Sequence, residues 1–129
     1  MKLNVMFTIA AVYGIALGLF ELLAPATASA GTLTDGMPGM LFMIVRFWGV
    51  SYIGLGLIAW FVRNAEASKA RDGVTLGLTI FFALHALTSL YGQFTDTSMS
   101  THWVMAIVQA LIAVGFFMAG KASMSASMS

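Results

Sequence analysis

Four stretches of roughly twenty residues each, the length a helix needs to span a bilayer, run almost without charge. They constrain this chain more than any other feature. Residues 3–24 contain Glu21 as their only charge and residues 40–62 contain Arg46 as theirs; residues 74–92 and 102–120 contain none. Spanning β-strands would instead alternate in segments of about ten residues, which these continuous runs do not. The chain is 60% hydrophobic and 9% charged. A soluble domain, about 25% charged, covers its surface with polar groups that this chain lacks. A disordered chain and a nucleic-acid binder with a dense basic patch are excluded on the same grounds. With no cysteine, disulfides, thiolate metal sites and thiol catalysis are excluded too.

The expected fold is all-α: an integral membrane four-helix bundle, up-down-up-down, forming one domain over residues 1–120. Residues 121–129, a Met/Ser-rich tail, are expected to be disordered. Met124 and Met128 in that tail are thioethers without a His or Cys companion, a poor metal site. Residues 25–39 form a first connection, with Pro38 suited to the first turn of the second helix. Residues 63–73 are expected to extend the second helix briefly before turning at Gly73. Residues 93–101 form the third connection, where Ser100 or Thr101 could cap the fourth helix.

Orientation follows from the loop cations. Lys2, Arg63, Lys69, Arg71 and Lys121 fall on one side of such a bundle, and the first and third connections carry no Lys or Arg. That distribution puts both termini in the cytoplasm. Trp60 then falls at the inner interface, and Tyr91 and Trp103 at the outer one. A competing reading treats residues 1–30 as a signal peptide cleaved after Ala28-Ser29-Ala30. The length of the apolar run and Glu21 near its end oppose it.

The candidate site consists of the residues that break the apolar rule. Ionisable groups within a span are costly and mark pairing or function. Glu21, Arg46 and His85, with Gln109 as an uncharged companion, supply one polar residue per helix. At 1.5 Å rise per residue they fall roughly 5–11 Å below the outer interface. Each lies beside small residues: Gly14 and Gly18 precede Glu21, Gly49 and Gly56 follow Arg46, Thr88 and Gly92 share the face of His85, and Ala106 and Ala113 flank Gln109. Small residues let membrane helices approach closely. Three readings of Glu21 and Arg46 are open: a structural ion pair, an Arg46 that snorkels alone to the interface, or the polar floor of a ligand or proton site. His85 is either a core histidine bonded to a carbonyl, Thr88 or Ser89, or a functional group. Gln109 is either interhelical glue or a ligand contact. Trp48 and Tyr52, with Tyr13 and Phe82, are the aromatics expected to line a cavity below the cluster.

No cofactor is expected. Haem b would need His85 and His102 at matching depth, and they differ by roughly 10 Å. Two histidines and scattered carboxylates make no zinc ligand set. Gly54-Leu55-Gly56 lies mid-span and cannot cradle a phosphate.

The segment RFWGVSYIGLGLIAWFVRNAEASKAR, residues 46–71, places an Arg at a helix start, Gly three residues on, Gly-x-Gly further in, then Trp and a basic loop. With Gly18 to Pro25 before it, this resembles small bacterial four-helix membrane proteins, broadly DoxX-like. The resemblance covers about residues 3–120 and rests on Gly spacing and Arg46. It implies a multi-pass protein of the bacterial inner membrane, related to proteins linked to quinone or thiosulfate oxidation or serving redox enzymes as partners. It carries over no catalytic residue.

Three functions compete. The first is an accessory or structural subunit of a larger membrane complex, possible also as a homo-oligomer. The second is a binding protein for a quinone or lipid, with its polar end at Glu21, Arg46, His85, Gln109, Trp48 and Tyr52. The third is a transporter or channel subunit. A membrane enzyme is a weaker fourth. An outward-facing stripe of small residues favours the first, and a closed cavity above Arg46 favours the second.

Overall fold

A computed structural model describes residues 2–29, 33–95 and 101–127. It is all-helical over those residues: α1 (Leu3–Leu23), α2 (Pro25–Ala28), α3 (Gly39–Val62), α4 (Lys69–Thr95) and α5 (Thr101–Ser127). Four of these helices are long and apolar enough to cross a membrane. The shortest, α1 at 21 residues, would extend about 31 Å, matching a hydrocarbon core of about 30 Å. The chain is a multi-pass membrane protein, and lipid is the solvent for large exposed side chains such as Leu23, Phe61, Phe94 and Leu111.

The structure divides into two compact units, Ala10–Trp60 and Met1–Ile9 with Phe61–Ser129. The first is built on glycine. A Cβ placed on Gly14 would lie 2.8 Å from the Tyr52 carbonyl oxygen and 3.2 Å from Gly56 Cα. One on Gly56 would lie 2.9 Å from the Ile15 nitrogen and 3.0 Å from the Ala11 carbonyl. Gly18 and Gly49 meet backbone to backbone one and two turns further along. The pairs run in opposite order, so α1 and α3 are antiparallel and touch main chain to main chain. The stripe of small residues read from the sequence is this contact. Tyr13 and Tyr52 seal its edge, rings at 6.2 Å and 81°.

The link between α1 and α3 is fixed by local chemistry. Pro25 opens α2, where a missing N–H costs nothing. Ser29 closes it, donating its hydroxyl to the Pro25 carbonyl at 2.7 Å. A turn follows in which Met37 N–H reaches the Thr34 carbonyl at 3.2 Å. Gly36 occupies its third position at φ +94°, a conformation that favours glycine.

The second unit packs α4 against α5, with the start of α1. Phe116, fully buried, stacks on Phe82 at 6.3 Å and meets Phe7 edge-on at 5.4 Å. A Cβ on Gly120 would meet Thr75 Cγ2 at 2.9 Å. Further along, Phe94 meets Trp103 at 6.0 Å. These pairs also run in opposite order.

Two expectations are corrected here. Residues 63–73 do not prolong the second helix: α3 stops at Val62, and Ala65 N–H bonds back to the Val62 carbonyl. The helical residues of this segment belong instead to α4, and Gly73 lies within that helix. The cause is Ser68, whose hydroxyl accepts the Arg71 N–H at 3.2 Å while its carbonyl accepts the Asp72 N–H. That N-cap starts α4 five residues before the apolar run begins. At the other end, α5 continues as helix to Ser127, through most of the tail expected to fray. Ser100 and Met128 lie outside the described residues, as do the side chains of Thr101, His102 and Met124.

Candidate functional site

In the unit Ala10–Trp60, Glu21 follows Gly18 on the buried face of α1. Its Cβ would lie 3.1 Å from one placed on Gly49, and the residue is 9% exposed. Its Oε2 is buried without a hydrogen-bond partner. Arg46 is half-buried, and its Nη1 reaches the Met43 sulfur at 3.9 Å. The ion pair, one of the readings the sequence left open, is therefore not formed. Helical side chains lean toward the N-terminus of their helix. Glu21 faces Gly49, on the C-terminal side of Arg46, while the guanidinium follows its own helix the other way. This is the direction a snorkelling arginine would take to the N-terminal end of α3. Tyr52 is buried against Tyr13, but Trp48 is 60% exposed.

This arrangement sets an expected result. Glu21→Gln removes a carboxylate buried without a partner and should leave the melting temperature in detergent unchanged or raised. Glu21→Gln and Arg46→Gln should combine additively to within about 0.5 kcal/mol. A dry ion pair would instead lose roughly 3–5 kcal/mol on removal of either member. Thermal melts of both single variants and the double variant distinguish these outcomes.

In the second unit, His85 is half-buried. Its Nδ1–H donates to the Phe81 carbonyl at 3.0 Å and its ring lies on the Phe81 ring at 4.1 Å. This is the carbonyl-bonded arrangement, one of the two read from the sequence. Gln109 is 1% exposed, and its Oε1 accepts the Ser89 hydroxyl across the α4–α5 contact at 3.3 Å. That bond is an interhelical one, the first of the two readings the sequence leaves open for it. Phe82 is buried and stacks on Phe116. Among the described residues no group of three His, Cys, Asp or Glu side chains could hold a metal ion.

Two recesses in this unit escaped the sequence reading. One is an open groove of about 450 Å³ along α4 and α5, floored by alanines including Ala83, Ala86 and Ala110 and flanked by Leu87 and Ile107. Its wall is almost wholly apolar. The signal was present in the alanine spacing of the third and fourth spans, which the search for polar groups passed over. The other, about 540 Å³, opens where the N-terminal segment, the link before α4 and the last turns of α5 meet, and Lys2, Arg63 and Arg71 line it. These cations were read only as markers of orientation. Comparison with family models, with curated proteins and with solved structures finds no match.

Proposed function

We propose that this protein is an accessory subunit of a larger membrane assembly, docking on a transmembrane helix of a different chain through the α4–α5 groove. The proposed setting is the bacterial inner membrane, the setting implied by the resemblance to DoxX-like proteins. The chain there forms an up-down-up-down bundle with both termini cytoplasmic, the orientation its loop cations favour.

The groove carries this reading. In lipid, apolar burial gives little drive to associate, so helices meet where small residues let backbones approach. Gly14, Gly18, Gly49 and Gly56 serve that purpose inside the first unit. The alanines of the groove leave a channel parallel to the helix axes, with Ala110 exposed at its floor. A second transmembrane helix has the shape and the apolar surface to fill it. The polar residues give less support to a ligand site. Gln109 and Ser89 bond each other, His85 bonds its own helix and Arg46 reaches Met43.

A photo-crosslinking amino acid at Ala110 or Leu87 tests this in native membranes, with Val12, 61% exposed on α1, as the control. The expected product is one discrete adduct to another membrane protein from the groove positions and none from Val12. Adducts to a second copy of the chain would make it a homo-oligomer. Adducts to lipid or quinone alone would overturn the docking role and support the binding-protein reading.

A further inference from the structure

We infer that the recess lined by Lys2, Arg63 and Arg71 binds a phosphate group. The inference is independent of the docking role, since it concerns another part of the unit. Three cations from three separate segments converge on one concavity of about 540 Å³. Like charges repel, so three cations on one concavity make it a place that favours an anion. Arg71 adds a sharper observation. Its Nε is buried and has no hydrogen-bond partner. Guanidinium N–H groups are strong donors, and one withdrawn from water without an acceptor is costly. A phosphate oxygen satisfies it, and the planar fork of arginine matches two phosphate oxygens at once.

The rest of the wall selects among anions. Leu3, Ala119 and Ala122 present apolar surface beside the cations. This suits a phosphate that carries a glycerol or alkyl group better than a small bare anion. Glu66 and Asp72, the nearby acidic residues in sequence, are not among the residues that line the recess. The recess also lies where the chain gathers its Lys and Arg, the side that meets the anionic lipid surface in the proposed orientation. The phosphate can come from a lipid headgroup or from a soluble phosphate.

The full-length protein, purified in a neutral detergent, is offered phosphatidylglycerol or phosphatidylcholine of matched acyl chains, and bound lipid is counted by native mass spectrometry. Phosphatidylglycerol should be retained at least about tenfold better, because its net charge is not cancelled by choline. Arg71→Gln or Arg63→Gln should weaken that retention roughly fivefold each. Lys69→Gln removes the same charge from an exposed position outside the recess and should change little. Inorganic phosphate that displaces the lipid at millimolar concentration points to a soluble phosphate as the natural occupant. Lipid retained against it points to the headgroup. Both outcomes support a phosphate site. Equal retention of the two lipids with no competition by phosphate overturns it, as do equal losses in Arg71→Gln and Lys69→Gln. Should an arginine variant fail to fold, Lys2→Gln carries the same comparison.

Discussion

Phe116→Ala should cost about 3–5 kcal/mol of stability. Phe116 is fully buried and contacts Phe82 by stacking and Phe7 edge-on. Removing its ring leaves a cavity bounded by two other rings, each held by its own helix, so the site cannot collapse easily. Aromatic contacts add about 0.5–1.5 kcal/mol per pair beyond area. The neighbour Phe117, 62% exposed, is the control. Lipid fills the space its ring leaves, and Phe117→Ala should change stability by less than about 0.5 kcal/mol. Unfolding in mixed micelles measures both. Phe7→Ala combined with Phe116→Ala should cost less than the sum, because the two share one cavity.

The glycines of the α1–α3 contact come next. Gly18→Ala places a methyl group against the Gly49 carbonyl and within 2.9 Å of the Ile53 nitrogen. Both are backbone, which cannot turn aside as a side chain can. The helices must separate, breaking the Gly14 and Gly56 contacts on the same stripe, at a cost of about 1–3 kcal/mol or more. Gly49→Ala should behave alike. Gly54 lies on the exposed face of α3, away from that stripe, with nothing within 4 Å of its added Cβ. Gly54→Ala should be neutral or stabilise by up to about 1 kcal/mol, since alanine favours the helix. Opposite signs for Gly18→Ala and Gly54→Ala, in melts of the same preparation, are the expected result. Similar losses at both would mean that glycine serves flexibility here and not close approach.

The four spans could be read from the residues because bilayer thickness fixes the length of an apolar run, and helical spacing fixes which glycines share a face. Arg46 shows where that reading weakens. Spacing placed it on the face of Gly49, but a long side chain reaches beyond the face that carries it. It met a sulfur on its own helix in place of the carboxylate one helix away. The start of α4 was missed because Ser68 extends the helix through polar residues that an apolar count treats as loop. Spacing leaves Gln109 open between glue and a ligand contact, and its partner Ser89 enters only as a neighbour of His85, because the bond joins residues on two helices. The basic recess is assembled from residues some sixty or more positions apart in the chain, Lys2 on one side and Arg63 and Arg71 on the other. Spacing along one helix cannot reveal such a meeting. Its three cations could have been grouped from the sequence by the single side they share.

In the proposed topology the chain crosses the membrane four times with its cations on one side. The native sequence contains no cysteine, so single cysteines can be introduced without background. Asp35→Cys, Glu66→Cys, Thr95→Cys and Lys121→Cys, each in sealed right-side-out vesicles, are treated with an impermeant maleimide before and after lysis. That topology gives labelling of positions 35 and 95 in sealed vesicles, and of 66 and 121 only after lysis. Labelling of 66 from outside, or protection of 35 or 95, would contradict it.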